Sequence, residues 1–416
     1  MNLDARSRPE LLWSWPAGDF GALWLRVGDL TGNGIPDLLF VQNDRQMVTC
    51  LTATTLQGEI IWQAGTPDIR FAYLGWDVAA QIYDYDQDGF NEIVCVRDGE
   101  LQLLSGQDGS IKRRTPVPSG QADEGLGLPT DAMPAMDAIL IANFSGRPHP
   151  QDILLKDRYT QVWAFDPDWN IAWTAVENPG HAPWAHDLDG DGRDELICGY
   201  TLLDADGRVR WRLPIRGHAD AIAVGDVDGD GHDEIVIGNG GVTVVDGDGR
   251  IVWQQPLQEA QHVTVGRYRP DLPGLQIGVI DRGSPRNDTG MATAYLFDSA
   301  GNELWRRAYA PGSWSAIGSR CNWLGDEDSF LVYRLGPAGE PIILDGYGQT
   351  IATLPMPNTY PVSTWEQEHL AIHADILGDD REEVIVFDDR HVYIYTNAAA
   401  RPNKLQYNYT HYIGMP

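Results

Sequence analysis

The 416-residue sequence is poor in helix signals, for no stretch repeats its apolar residues at a convincing helical period. No apolar run approaches membrane-spanning length, and the N-terminus, MNLDARSRPELLW, lacks the apolar core of a signal peptide. The chain is therefore expected to be cytoplasmic, or secreted with its signal already removed. Basic residues are scarce, with 30 Lys and Arg against 60 Asp and Glu, a net charge of −30. That balance argues against nucleic acid and anionic membranes as partners. Cys50, Cys95, Cys198 and Cys321 are isolated from one another and read as free buried thiols. A G-x-S-x-G elbow, a P-loop, a dinucleotide-binding fingerprint and an H-E-x-x-H pair are all missing. A paired-carboxylate glycosidase stays open, because 60 acidic residues hide any such pair.

Acidic turns are abundant instead. The run DLDGDGRDE (Asp187 to Glu195) returns as DVDGDGHDE (Asp226 to Glu234), and more loosely as DYDQDGFNE (Asp84 to Glu92) and DLTGNGIPD (Asp29 to Asp37). Each stacks side-chain oxygens around a glycine that permits a sharp turn, the pattern of hard ligands that calcium takes. An EF-hand would need a bidentate Glu at the twelfth position and a following helix. That position holds Phe40, Cys95, Cys198 and Ile237, and an apolar strand pattern follows each loop. Several calcium ions are thus expected, at Asp29/Thr31/Asn33/Asp37, Asp84/Asp86/Asp88/Glu92, Asp187/Asp189/Asp191/Glu195 and Asp226/Asp228/Asp230/Glu234. A further copy at Asp375 carries Leu377 in place of a ligand and is expected to be empty or weakly occupied.

Decayed copies begin near Asn143, Arg267, Asn322 and Asp375, giving eight starts spaced by 39 to 59 residues. Within each repeat an acidic turn lies between two strands, and a Gly-containing hairpin leads to a Trp, as in LLDADGRVRWRLP and VVDGDGRIVWQQP. The predicted fold is all-β, a single β-propeller over residues 1–416 with eight blades, or with seven or nine if the weak copies mislead. The orphan strand Glu10 to Pro16 reads as the end of a repeat that never began, closing the ring beside the C-terminal blade.

In such a ring the strand before each acidic loop lines a central funnel, and unusual polar residues cluster there. His181, His218, His262, His369 and His373 precede loops, Arg320 lies in GSRCNW, and Arg26 and Asp77 occupy comparable places. Tyr200 follows the Asp187 loop. A ring of His and Arg would neutralise and hold a carboxylate substrate. The competing reading is that a histidine before a strand bonds only a neighbouring backbone.

The stretch GHAPWAHDLDGDGRDELICGYTLLDADGRVRW, followed by GHADAIAVGDVDGDGHDEIVIG, resembles the propeller of bacterial rhamnogalacturonan lyases. The ending HADILGDDREEVIVFDDRHVYIYTN does so as well. The resemblance implies an eight-bladed, calcium-studded enzyme that cleaves rhamnose–uronate chains by β-elimination, acting on an acidic rhamnose-containing polysaccharide or oligosaccharide; a monomer is expected. It also implies roles for His181 and for the Gly217–His218–Ala219–Asp220–Ala221 turn. The sequence is shorter than that family's, so a rhamnose–glucuronate glycan is an alternative to rhamnogalacturonan. His218 is expected as the base that takes the C5 proton, and His181 as an acid or carboxylate binder. His262, Arg320 and Tyr200 would assist, and His369, His373, Arg26 and Asp220 would bind substrate. The alternative from another class is a non-catalytic, calcium-stabilised carbohydrate-binding or adhesion propeller.

Overall fold

The structure is a computed structural model that describes residues 5–44, 47–72, 77–118, 136–283, 289–336, 339–357 and 369–403. Among these residues every regular element is a strand apart from two single 3-10 turns, Gly18–Phe20 and Ile69–Phe71. No helix is long and apolar enough to cross a membrane. The fold is all-β, and the four cysteines are buried free thiols.

Two compact units are formed, one within residues 16–218 and one from residues 219–403 with 5–15. The first unit holds four runs of four antiparallel strands. They start at Leu25–Gly28, Ala80–Tyr83, Ala138–Ala142 and Trp184–His186, and these first strands lie side by side in that order. The first two runs are joined as one eight-stranded sheet by a single parallel pair, Val48 with Arg97. In the second unit, four-stranded sheets start at Ala221–Gly225, Ala260–Gly266, Ile317–Cys321 and Leu370–Ala374. The last of these takes its outer strand from the other end of the chain, since Pro9–Pro16 lies beside His391–Asn397. Asn397 anchors it by accepting from the Arg8 N–H at 2.8 Å and donating to the Arg6 carbonyl at 2.9 Å.

Second and third strands are buried on both faces, which is why they read as continuous apolar runs rather than alternating ones. Between two sheets of the first unit, Val94, Leu101 and Leu103 pack against Ile139, Ile153, Leu155 and Trp163. The fourth strand carries the Trp seen in the sequence repeat, and its indole N–H donates to the last hairpin of the next sheet. Trp62 reaches the Gly106 carbonyl at 2.6 Å, Trp173 reaches Ala205 at 2.9 Å and Trp253 reaches Ser299 at 2.9 Å. A glycine at positive φ sits under the ring in each case, and a Cβ on Gly109 would come within 2.6 Å of Trp62. One sheet reverses the arrangement: Arg113 stands where the Trp is expected and stacks 4.5 Å from the ring of Trp169, which occupies the hairpin at φ 60.

Candidate active site

In each sheet the acidic loop joins the first strand to the second, so the residues entering the first strand lie at its opposite end. The five-residue strand Ala138–Ala142 separates the two ends by about 13 Å at about 3.3 Å per step.

At the entry end of the first unit, three turns bring a polar cluster together. Lys156 ends the strand Asp152–Lys156 opposite Ala138, next to Asp137. The following turn is fixed by Asp157, whose carboxylate accepts the Thr160 and Gln161 N–H groups at 2.7 and 2.9 Å. That holds Arg158 and Tyr159 at its tip. His181 and His218 each follow a glycine at positive φ, Gly180 at 68° and Gly217 at 103°, where the chain turns sharply.

Asp137 is the buried anion of the cluster. Its carboxylate pairs with the Lys156 ammonium and with Arg158 Nη1 at 3.1 Å. Burial pushes the Lys156 ammonium below its ordinary pKa against the pull of Asp137. The other Arg158 nitrogen, Nη2, lies 2.8 Å from Tyr159 Oη and 3.1 Å from His181 Nε2. Tyr159 Oη is itself 2.9 Å from His181 Nε2. An Arg donor at that nitrogen requires it to be unprotonated, which assigns the Nδ1–H tautomer and makes Nε2 the acceptor for the phenol proton. The His218 ring lies 4.7 Å from Tyr159 and stacks on His181 at 5.0 Å with an interplanar angle of 5°. A guanidinium, a phenol and two imidazoles thus share one end of the unit. This set can bind a carboxylate, relay a proton and give one up.

Arg26 is already committed to an ion pair, its Nη2 3.1 Å from Asp77 and its Nε donating to the Ala80 carbonyl at 2.9 Å. Burial lifts the Asp77 carboxyl to about 6 against the Arg26 charge, and the like charge of Asp137 adds to the rise. Tyr200 is half-buried in the tight turn after Glu195–Cys198, with its carbonyl accepting from the Leu213 N–H at 2.9 Å.

The remaining expected residues belong to the second unit. His262 lies in its strand with Nε2 3.4 Å from Arg282, and burial with the Arg282 and Arg334 charges holds it well below an ordinary histidine pKa. His369 accepts the Arg334 backbone N–H at 3.2 Å and is pushed down to about 3, chiefly by burial. His373 Nδ1 is 2.9 Å from Glu382, which also accepts the Asn322 N–H at 2.6 Å. Asp220 accepts from Gln261 at 3.3 Å. Arg320 is exposed and donates to the Val265 carbonyl at 3.3 Å, near the acidic-loop end of its strand and about three residues along from the level of His262. The structure brings His181 and His218 together and places Arg320 apart from His262. Sequence reading missed Arg158, Tyr159, Lys156 and Asp137. For Lys156, Arg158 and Tyr159 the one signal was KDRYTQ, a turn that combines two cations with an aromatic ring; Asp137 gave none.

The acidic loops are preformed by their own carboxylates. Asp187 accepts the N–H groups of Gly190, Asp191 and Gly192 at 2.8 to 3.1 Å, and Glu195 reaches back to Leu188 at 3.0 Å. The Asp226 loop is wrapped in the same way by Asp226 and Glu234. Carboxylate oxygens converge within 4.8 Å in the sets Asp84/Asp86/Glu92, Asp187/Asp189/Glu195 and Asp226/Asp228/Asp230. Hard oxygen donors at this spacing fit calcium.

The Asp29 loop is wrapped by the same kind of internal hydrogen bond. Asp29 caps Gly32 and Gly34 at 2.7 Å, and Asp37 holds Leu30 and Thr31 at 3.1 Å. Asn33, expected as a metal ligand, is exposed, as Asp191 and Asp230 are at the same place of their loops. Its Oδ1 accepts the Ile35 N–H at 2.8 Å, and its own N–H donates to Asp29 at 3.1 Å. Thr31 Oγ1 donates to Asp37 at 3.2 Å. Asn33 and Thr31 are neutral, so the loop holds only two carboxylates, and among the described residues it gathers no convergent acidic set.

Residues 218–252 match the FG-GAP repeat family. No curated protein matches the sequence. Among solved structures the chain is similar to the exotype rhamnogalacturonan lyase YesX, with 20% identity over 92% of this chain and 73% of that one and a TM-score of 0.69. It is similar to the Bacillus licheniformis rhamnogalacturonan lyase PL11, with 18% identity, 94% and 74% coverage and a TM-score of 0.65. The V. cholerae biofilm matrix protein Bap1 is similar at 15% identity, 94% and 91% coverage and a TM-score of 0.64. At these identities the likeness is one of fold: the chain is an all-β, propeller-like protein that resembles the rhamnogalacturonan lyases.

Proposed function

We propose that the protein is a polysaccharide lyase that cleaves a rhamnose–uronate linkage by β-elimination. Its eight four-stranded runs would close into one ring, and calcium in the acidic loops would fix blade geometry. The observation that carries the reading is the convergence of Arg158, Tyr159, His181 and His218 at one end of the first unit.

The proton at C5 of a uronate becomes acidic once the neighbouring carboxylate is neutralised. Arg158, anchored through Asp137, supplies fixed positive charge for that purpose, and the stacked imidazoles offer N–H donors. His218 takes the C5 proton as a neutral base. The C4–O4 bond breaks as the C4–C5 double bond forms, and the Tyr159 hydroxyl gives its proton to the departing oxygen. The phenolate is then held by Arg158 until it takes a proton from solvent, and His218 releases the C5 proton to solvent, which restores both groups. His181 keeps Tyr159 oriented through Nε2. The substrate is an acidic rhamnose-containing glycan, rhamnogalacturonan or a rhamnose–glucuronate chain. Calcium, when bound in the loops, supplies neutralising charge to clustered carboxylates that would otherwise repel.

Incubation with a panel of uronate polysaccharides, read by the ultraviolet absorbance of the new double bond, tests the reading. Absorbance should rise with a rhamnose-containing member and stay flat with the others. The likeness to the biofilm matrix protein Bap1 favours a second reading, a non-catalytic carbohydrate-binding propeller, for which the same panel gives binding without absorbance.

A further inference from the structure

The fourth strand of the repeat carries a β-bulge at one recurring place, one residue before the Trp position. Trp173 pairs with Ala164 and Ile171 with Phe165, so Ala172 is left without a partner in the ladder. The same register shift leaves out Ile61, Val252, Leu304 and Ile351 in other sheets. These five residues are apolar. In two sheets the bulged residue is basic instead: Lys112 and Arg210.

A bulge re-aims its side chain, and both basic residues reach the acidic loop of their own sheet. Lys112 Nζ lies 2.6 Å from Asp86, 3.2 Å from Asp88 and 2.9 Å from Glu92. Arg210 Nη2 lies 2.6 Å from Asp189 and 3.0 Å from Glu195. Those carboxylates are the third, fifth and ninth positions of the first loop and the third and ninth of the second, the oxygens that calcium would use. The Asp226 loop has Val252 at the equivalent place. Among the described residues no Lys or Arg pairs with Asp226, Asp228, Asp230 or Glu234.

We propose that Lys112 and Arg210 are built-in cations that replace calcium in the Asp84 and Asp187 loops, leaving the Asp226 loop as the divalent-cation site of the three. Calcium takes six to eight oxygens around itself, and a fixed cation within bonding reach of the same carboxylates removes ligand directions and repels the ion. Among the three convergent acidic sets, the one with an apolar bulge residue is left to a metal, and the two with a basic one are filled. The inference rests on the calcium reading of the acidic loops given above.

The test is calcium binding to the full-length, EGTA-stripped protein, measured by titration calorimetry with calcium chloride and by bound metal after gel filtration. Asp226→Asn combined with Asp228→Asn should remove one calcium per chain, and Asp84→Asn combined with Asp86→Asn should remove none. Lys112→Met and Arg210→Met should each add one calcium per chain. Loss of one calcium in the Asp84/Asp86 variant overturns the replacement while leaving the calcium reading intact. Unchanged stoichiometry in a folded Lys112→Met overturns it too, and if that variant does not fold the Asp84/Asp86 comparison decides alone. A wild-type protein that binds no calcium overturns the calcium reading itself.

Discussion

Tyr159 Oη lies 2.9 Å from His181 Nε2 while its ring lies 4.7 Å from that of His218. Three turns that are far apart in sequence therefore meet on one phenol, with Arg158 2.8 Å from its oxygen. A hydroxyl between a guanidinium and an unprotonated imidazole can both give and regain a proton, which a merely structural histidine pair does not require.

Replacing His218 by Ala is expected to lower the rate by roughly 10² to 10⁴, the contribution of a positioned base. Tyr159→Phe, which keeps the ring stacking, should also lose most of its turnover. Both variants should melt within a few degrees of the wild type. Equal losses in melting temperature and activity would instead mark these residues as structural.

Calcium removal should destabilise the fold. A ligand present at about 100 times its dissociation constant adds about 2.7 kcal/mol to the native state. EGTA dialysis followed by thermal melting should therefore show a clear drop that added calcium reverses. An unchanged melting curve would contradict structural calcium.

Deleting residues 1–16 should remove the outer strand of the sheet that ends at His391–Asn397. The loss includes the Asn397 bonds to Arg6 and Arg8, each worth about 1 kcal/mol, besides the strand ladder. The truncated protein should melt many degrees lower. Equal melting temperatures would show that this strand does not close the fold.

His369 gives a pH dependence of stability with a definite sign. Its ordinary value is 6.5 and burial lowers it to about 3 in the folded state, so the native protein holds it neutral. Its contribution is complete above pH 6.5 and is lost as pH falls toward 3, by up to about 1.4 kcal/mol per pH unit. His369→Gln keeps an acceptor for the Arg334 N–H but does not titrate. Melting temperatures between pH 7.5 and about 4.5 should fall less steeply in the variant than in the wild type; parallel curves would remove His369 from the acid response.

The acidic turns and Trp hairpins made the strand repeat readable because they are local, with Asp, Gly and Trp at fixed offsets along the chain. The pairing of Pro9–Pro16 with the C-terminal sheet was legible for the same reason, as an unmatched piece of a known period. His181 and His218 were legible through their Gly-His turns. Tyr159 and Arg158 were not, because a turn between the second and third strands carries no repeat signal and its contact with His181 is a product of packing. The pairing of Arg26 with Asp77 of the next repeat, at 3.1 Å, was hidden for the same reason. Lys112 and Arg210 were hidden because a bulge, which sequence does not announce, aims them at the loops.

The most direct measurement is the mass of the products formed from a rhamnose-containing uronate oligosaccharide in heavy-oxygen water. Elimination breaks the C4–O4 bond without water, so the account predicts an unsaturated uronide fragment lighter by one water than its saturated counterpart, with no heavy oxygen beyond what the reducing ends exchange. Saturated fragments carrying one heavy oxygen would identify hydrolysis and contradict it, and an uncleaved but bound oligosaccharide would contradict catalysis altogether.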